Sequence, residues 1–243
     1  MIITALNGKR IVVTRPTHQS NTLIELLLRQ GARPIQMPLI EISDPSDGGE
    51  SMRDAFSELD SFEWIVVTSV NGAAAIASDI HDRDHRPRIA AIGEATNRAL
   101  GSIADFMPSS ARGDVLAEEF PTGRGRVLLV QAEVVDGIIG SSLEARGWNV
   151  TKVAAYQTQS LTPEPKILSR AMKADALVLA SGSAARSWVQ CAGTQTPPLV
   201  VAVGQSTAAI SEQVGIRVTE VAGEPTPSCV VDTLTDVFLR LYP

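Results

Sequence analysis

The second half of the chain repeats the first. Trp64-Ile65-Val66-Val67-Thr68-Ser69-Val70-Asn71-Gly72-Ala73-Ala74 returns as Ala176-Leu177-Val178-Leu179-Ala180-Ser181-Gly182-Ser183-Ala184-Ala185-Arg186, an offset of 112 (181 − 69). Ile89-Ala90-Ala91-Ile92-Gly93-Glu94-Ala95-Thr96 returns as Val200-Val201-Ala202-Val203-Gly204-Gln205-Ser206-Thr207, an offset of 111 (204 − 93). Val12-Val13-Thr14-Arg15 aligns with Leu128-Leu129-Val130-Gln131, and Gly31 with Gly147, both at 116 (147 − 31). Three matches in one order at nearly one offset predict two similar domains. Paired domains of that kind bind ligands between themselves.

One unit recurs six times: an apolar β-rich run, a turn of small residues, then an amphipathic helix. The runs 10–14, 64–68, 88–92, 126–130, 176–180 and 199–203 are short and rich in Val, Ile and Leu, which suits parallel strands buried on both faces. Helices are expected over 20–30, 71–78, 94–100, 135–146, 183–191 and 206–214. Gly31, Gly101, Gly147 and Gly215 follow four of them, each closing a helix and starting another short strand. Segments 37–42 and 153–158 sit at matching places in the two halves and are expected to cross between the domains. The expected fold class is α/β: two similar parallel-sheet α/β domains joined by a two-stranded linker, with a cleft between them.

Charge and composition narrow the function. The net charge of −6 disfavours a nucleic-acid partner, and an anionic ligand would need local donors. No apolar run approaches the roughly 18 residues of a membrane span, and the opening residues lack signal-peptide character, so a cytoplasmic protein with no membrane partner is expected. Cys191 and Cys229 are expected to be reduced, buried thiols. Asp79, His81, Asp82, Asp84 and His85 lie in one hydrophilic stretch without a second ligand set and are expected to form a solvated loop, not a metal site. Walker, dinucleotide-binding and nucleophile-elbow motifs are all missing from the sequence.

Chemistry is expected at the C-terminal ends of the parallel strands. Small hydroxylated turns recur there: Thr14-Arg15, Ser69-Val70-Asn71, Gly93-Glu94-Ala95-Thr96, Ser181-Gly182-Ser183 and Gly204-Gln205-Ser206-Thr207. They let the backbone approach a ligand and present helix N-termini, which suit carboxylates or phosphates. The substrate-binding candidates are therefore Thr14, Arg15, Ser69, Asn71, Gly93, Thr96, Ser181, Ser183, Gly204, Ser206 and Thr207. Thr207 is expected to cap its helix as well. A helix-capping role alone accounts for any one of the serines and threonines, and an internal salt bridge accounts for Arg15.

The chain resembles the uroporphyrinogen-III synthase family over nearly its whole length. The resemblance rests on Val13-Thr14-Arg15-Pro16, Val67-Thr68-Ser69-Val70-Asn71-Gly72, Ile92-Gly93-Glu94-Ala95-Thr96, Ala155-Tyr156-Gln157-Thr158, Leu179-Ala180-Ser181-Gly182-Ser183, Val201-Ala202-Val203-Gly204-Gln205-Ser206-Thr207 and Ala222-Gly223-Glu224-Pro225-Thr226-Pro227 before a final helix. It implies cyclisation of the linear tetrapyrrole hydroxymethylbilane to uroporphyrinogen III, with ring D inverted and water lost, as a lyase of haem and related tetrapyrrole biosynthesis. It implies no cofactor and no metal, a monomer, and transient contact with hydroxymethylbilane synthase. It puts the phenol of Tyr156 at the cleft as the catalytic candidate. It also implies an interleaved division: 1–37 plus 158–243 as one domain, 41–153 as the other, and 38–40 and 154–157 as linker strands. Simple duplication would instead cut near residue 120. The rival reading is a two-domain protein that binds an anionic ligand without catalysis.

Overall fold

A computed structural model describes residues 4–81, 85–135 and 137–241. Asp82 and Asp84 of the expected charged loop, and Asp136 of the expected fourth helix, lie outside the described residues. The chain forms two compact units, Met1–Glu41 with Gln159–Pro243, and Ile42–Thr158.

Unit 1 is built on a five-stranded sheet. Its strands are β1 (Arg10–Val13), β2 (Arg33–Gln36), β8 (Ala176–Leu179), β9 (Leu199–Ala202) and β10 (Glu220–Val221), in the order β10-β9-β8-β1-β2, all parallel. Successive side chains along β1 enter different cores, as expected for a strand covered on both faces. Ile11 and Val13 pack with Leu23 and Leu27 of α1 (Thr17–Arg29) and with Val230, Leu234 and Phe238 of α10 (Pro227–Leu241). Val12 packs with Ala171 of α7 (Pro165–Ala171) and Trp188 of α8 (Gly182–Ala192). Helix α9 (Gln205–Gln213) lies against α8, where a Cβ on Gly182 would come within 2.3 Å of Ile210 Cδ1.

Unit 2 repeats the plan with β3 (Ile40–Ser43), β4 (Trp64–Val67), β5 (Arg88–Ala91), β6 (Arg126–Ala132) and β7 (Asn149–Ser160), ordered β3-β7-β6-β4-β5. Ile65 and Val67 pack with Ala55 and Phe56 of α2 (Glu50–Ser57) and Ile76 of α3 (Val70–His81). Trp64, Val66 and Leu129 pack with Leu116 of α5 (Gly113–Glu119) and Leu143 of α6 (Ile138–Ala145). Short α4 (Glu94–Ala99) follows β5. The boundaries between units fall inside β3 and inside β7.

The repeat in sequence is a repeat in structure, but with halves exchanged. Unit 1 joins β1-α1-β2 of the first repeat to β8-β9-β10 of the second. Unit 2 joins β6-α6-β7 of the second to β4-β5 of the first. The registers agree: Ile11 faces Ala176, and their repeat partners Val127 and Trp64 face each other. Gly31 and Gly147 close α1 and α6 at φ 73° and 96°, where a side chain would be strained.

Some expected elements differ. After Gly101 the strand reduces to a single bridge, Ala90 with Phe106. After Gly215 it shrinks to β10, several residues later. Helices α2, α5 and α7 lie outside the expected elements; each is short and buries only one or two residues, although Met52, Ala55 and Phe56 of α2 stand at helical spacing. Cys191 and Cys229 are free thiols, half-buried and not fully buried.

Gly182→Ala should force α8 and α9 apart and destabilise unit 1 by roughly 1–3 kcal/mol. Urea unfolding measures this, and an unchanged midpoint would remove the packing role assigned to Gly182.

Candidate active site

In both sheets the chain reverses its direction of travel at the central pair, β1 with β8 and β6 with β4. The C-terminal ends of strands at such a reversal are where open α/β sheets bind ligands. Thr14, Arg15, Ser181, Ser183, Gly204, Ser206 and Thr207 stand at that edge of unit 1, and Ser69, Asn71, Gly93, Thr96 and Tyr156 belong to the same edge of unit 2.

The hydroxylated turns divide into closed and open helix starts. Ser181 Oγ accepts from the Ala184 N–H at 3.1 Å, capping α8. Ser69 Oγ accepts from the Gly72 N–H at 3.0 Å at the start of α3. These two oxygens serve the scaffold. Ser183 is half-buried, with no side-chain hydrogen-bond partner among the described residues, and Asn71 is half-buried at the matching place.

Helices α4 and α9 start differently. Their N-caps are Gly93 and Gly204, in extended backbone and without any side-chain cap. Thr207 therefore does not cap α9, contrary to expectation. It is the third helical residue, and the cap position before the helix is taken by a residue with no side chain. The first N–H groups of α9, on Gln205, Ser206 and Thr207, have no acceptor among the described residues, leaving donors and positive dipole available to an anion. Ser206 is exposed, while Thr96 and Thr207 are buried. The two glycines are not equivalent. A Cβ on Gly93 would come within 2.6 Å of Ala111 Cβ, so packing alone accounts for that glycine. A Cβ on Gly204 would meet nothing within 4 Å, so the chain itself does not demand glycine there.

Thr14 is wholly buried. Its hydroxyl donates to Val178 O at 2.8 Å and accepts from Ala180 N at 3.2 Å, tying β1 to β8. That hydroxyl is committed to the sheet. Arg15 is the reverse case. It is half-buried, its Nη2 donates to Pro225 O at 3.1 Å, and no carboxylate pairs with it among the described residues, so the expected alternative of an internal salt bridge is not realised there. Burial pushes its guanidinium below the ordinary arginine value. A desolvated cation without a counter-charge is costly and favours an incoming anion.

Tyr156 sits beside a β-bulge. Gln131 faces Ala154 but Ala132 faces Tyr156, so Ala155 is the extra residue. Bulges re-aim side chains and gather near active sites. The phenol has no hydrogen-bond partner among the described residues. Glu133, which sequence reasoning missed, holds this corner: its N–H donates to Tyr156 O at 2.8 Å and its carboxylate accepts from Ser46 N at 3.3 Å and from the Ser46 hydroxyl. Exposed Val134, Val135 and Ile138 follow β6 directly. Apolar residues in a turn were the sequence signal available for this corner.

The sequence profile described as uroporphyrinogen-III synthase HemD matches residues 21–232. The chain belongs to the uroporphyrinogen-III synthase family. It is 27% identical to the chloroplastic uroporphyrinogen-III synthase of Oryza sativa, over 85% of this chain and 73% of the rice protein. It is 26% identical to the porphyrin biosynthesis protein HemD of Ruminiclostridium josui, over 96% of this chain and 49% of that one. Its fold is similar to a solved mutant uroporphyrinogen III synthase of Thermus thermophilus, with TM-score 0.72 and 17% identity, covering 96% of this chain and all of that one (100%). The Helicobacter pylori uroporphyrinogen-III synthetase aligns at TM-score 0.58 and 13% identity, over 95% and 99% of the two chains. Family membership makes the chain an enzyme of tetrapyrrole biosynthesis and sets aside the reading as a non-catalytic binding protein. No helix among the described residues is long and apolar enough to cross a membrane.

If Arg15 holds an anion, Arg15→Met should melt at about the same temperature while losing about 10- to 100-fold in kcat/KM, because a half-buried charge without a carboxylate partner among the described residues is removed. Lower stability with unchanged turnover would make Arg15 structural.

Proposed function

We propose that this chain is a uroporphyrinogen-III synthase that folds hydroxymethylbilane and closes it to uroporphyrinogen III as a cyclising lyase. The match of residues 21–232 to that family carries the reading. The substrate is flexible and carries many carboxylates, and the protein carries a net charge of −6, so binding has to come from local donors. The uncapped start of α9, with open space at Gly204, and the guanidinium of Arg15 are such donors. Ser183, Ser206 and Thr207 supply further polar groups at this edge of unit 1, with Ser181 shaping its turn, and Asn71 and Thr96 supply polar groups at the corresponding edge of unit 2, where the backbone at Gly93 and Ser69 shapes the turns.

In this reading the terminal hydroxyl of the substrate leaves as water, giving an azafulvene cation. The cation is attacked by the substituted carbon of ring D, forming a spiro intermediate. That intermediate fragments and recloses with ring D turned around, and loss of a ring proton restores aromaticity. The Tyr156 phenol gives its proton to the departing hydroxyl as the C–O bond breaks, and the resulting phenolate takes back the proton that ring D loses on reclosure. Positioning supplies most of the acceleration, since a floppy chain must be held in one closing geometry.

The working division of the chain is 1–37 with 158–243, and 41–153, with 38–40 and 154–157 as linker. The enzyme acts as a cytoplasmic monomer and takes its unstable substrate from hydroxymethylbilane synthase through transient contact, because spontaneous closure to the type I isomer competes with every delay.

Incubation with enzymatically generated hydroxymethylbilane should yield type III isomer in excess of type I, separable by chromatography. Type I alone would overturn the proposal. Tyr156→Phe should retain the type III product but slow its formation by on the order of 10²-fold, the low end of what a positioned general acid contributes. An unchanged rate would remove the role given to Tyr156.

A further inference from the structure

The N-terminal end of the unit 1 sheet, opposite to the turns described above, holds a cavity of about 270 Å³ ringed by four cations, Arg10, Arg33, Arg170 and Lys173, with Pro34 and Ile35 completing its lining. Arg10 and Arg33 are the first residues of β1 and β2 and face each other in register. Like charges directly opposed on neighbouring strands destabilise a sheet. Arg170 is in the last turn of α7, and Lys173 follows it. Arg10 is offset by Asp175, whose carboxylate accepts from its backbone N–H at 2.7 Å and lies 3.3 Å from Nε. The side chains of Arg33, Arg170 and Lys173 have no hydrogen-bond or ion-pair partner among the described residues. The chain as a whole is acidic, so a generally basic surface does not explain the cluster.

The internal repeat supplies a control. Arg126 occupies in unit 2 the place of Arg10 in unit 1. Glu58 stands where unit 1 has Arg170, Ser61 where it has Lys173, and Asn149 where it has Arg33. There the one arginine is satisfied from within: Arg126 Nη2 meets Glu58 Oε1 at 2.7 Å, and Nη1 donates to Ser61 Oγ at 2.6 Å. The same scaffold position is thus neutralised in one unit and made strongly cationic in the other.

We propose that this cavity is a binding site for a compact anion bearing two or more carboxylate or phosphate groups, separate from the site of the cyclisation. Guanidinium forks match both groups in bidentate geometry, and the ammonium of Lys173 adds a point charge. The volume lies just below the roughly 300–1,000 Å³ of sites for drug-sized ligands, so a small polyanion fits and a whole tetrapyrrole does not.

Citrate and pyrophosphate are the probes, tested on the full chain by thermal melting and by titration calorimetry against sodium chloride of matched ionic strength. At about ten times its dissociation constant, a bound probe should raise Tm by about 3–6 °C. Arg170→Glu, which installs the residue of unit 2, and Lys173→Ser should each weaken binding about 10- to 100-fold while leaving type III formation unchanged without probe. Arg15→Met should keep the shift. A response to one probe alone supports the site and tells phosphate from carboxylate. No response to either probe overturns the proposal. So does a shift that survives both Arg170→Glu and Lys173→Ser, or one lost in Arg15→Met, which would move binding to the opposite edge. Urea midpoints of the variants equal to the parent's exclude misfolding as the cause of lost binding, and calorimetry at temperatures well below Tm reads binding in any variant with a lowered midpoint.

Discussion

The pairing of β1 with β8 is the contact on which unit 1 rests. It joins Ile11 to Ala176, residues from opposite halves of the chain, so loop closure opposes it. What offsets that entropy is complete burial: Ile11, Val12, Val13, Ala176, Leu177, Val178 and Leu179 are all withdrawn from water. Thr14 extends the seam by one polar step, its hydroxyl bridging Val178 and Ala180. Arg15 and the start of α8 depend on this seam directly, because they are carried by the two segments that leave it, while the open start of α9 follows β9, which pairs with β8. The pairing of β6 with β4 does the same for unit 2.

Duplication explains why two sheets share one order, and divergence shows which features the scaffold requires. Ser69 and Ser181 keep the same capping bond in both copies because each helix start needs it. Gly93 and Gly204 keep the same backbone for different reasons, close packing in one and open approach in the other. Arg10 and Arg126 keep the same first strand position and each meets a carboxylate, Asp175 and Glu58, but Arg10 also stands among three further cations. Residues that both copies hold in one role are framework. Residues that differ while the backbone stays the same are where function has room.

An acidic enzyme with an acidic substrate has to solve its electrostatics locally. Long-range attraction is unfavourable at a net charge of −6, and screening confines what remains to about a Debye length of 10 Å. Unpaired helix N–H groups carry no formal charge and add nothing to the repulsion between protein cations, so they suit a site that must take several carboxylates. In the proposed site Arg15, half-buried, is the fixed charge.

The alternation of buried β runs with helices, the glycine stops and the repeat offsets were legible from residue order, because each is a short-range pattern with its own period. So was the edge that carries the candidate site, since parallel strands put their turns at one end. Helices α2, α5 and α7 did not stand out, because each is short and lies outside the repeated strand–turn–helix unit, although Met52, Ala55 and Phe56 of α2 carry a helical spacing. Nor was the state of each polar side chain. Thr14 and Arg15 are neighbours in sequence and of equal promise there, yet one hydroxyl is locked into a sheet and the other side chain meets no carboxylate among the described residues. Local sequence determined the elements and their turns. Tertiary contact decided which donors stay unpaired, because that depends on partners from distant segments that only folding brings within hydrogen-bond reach.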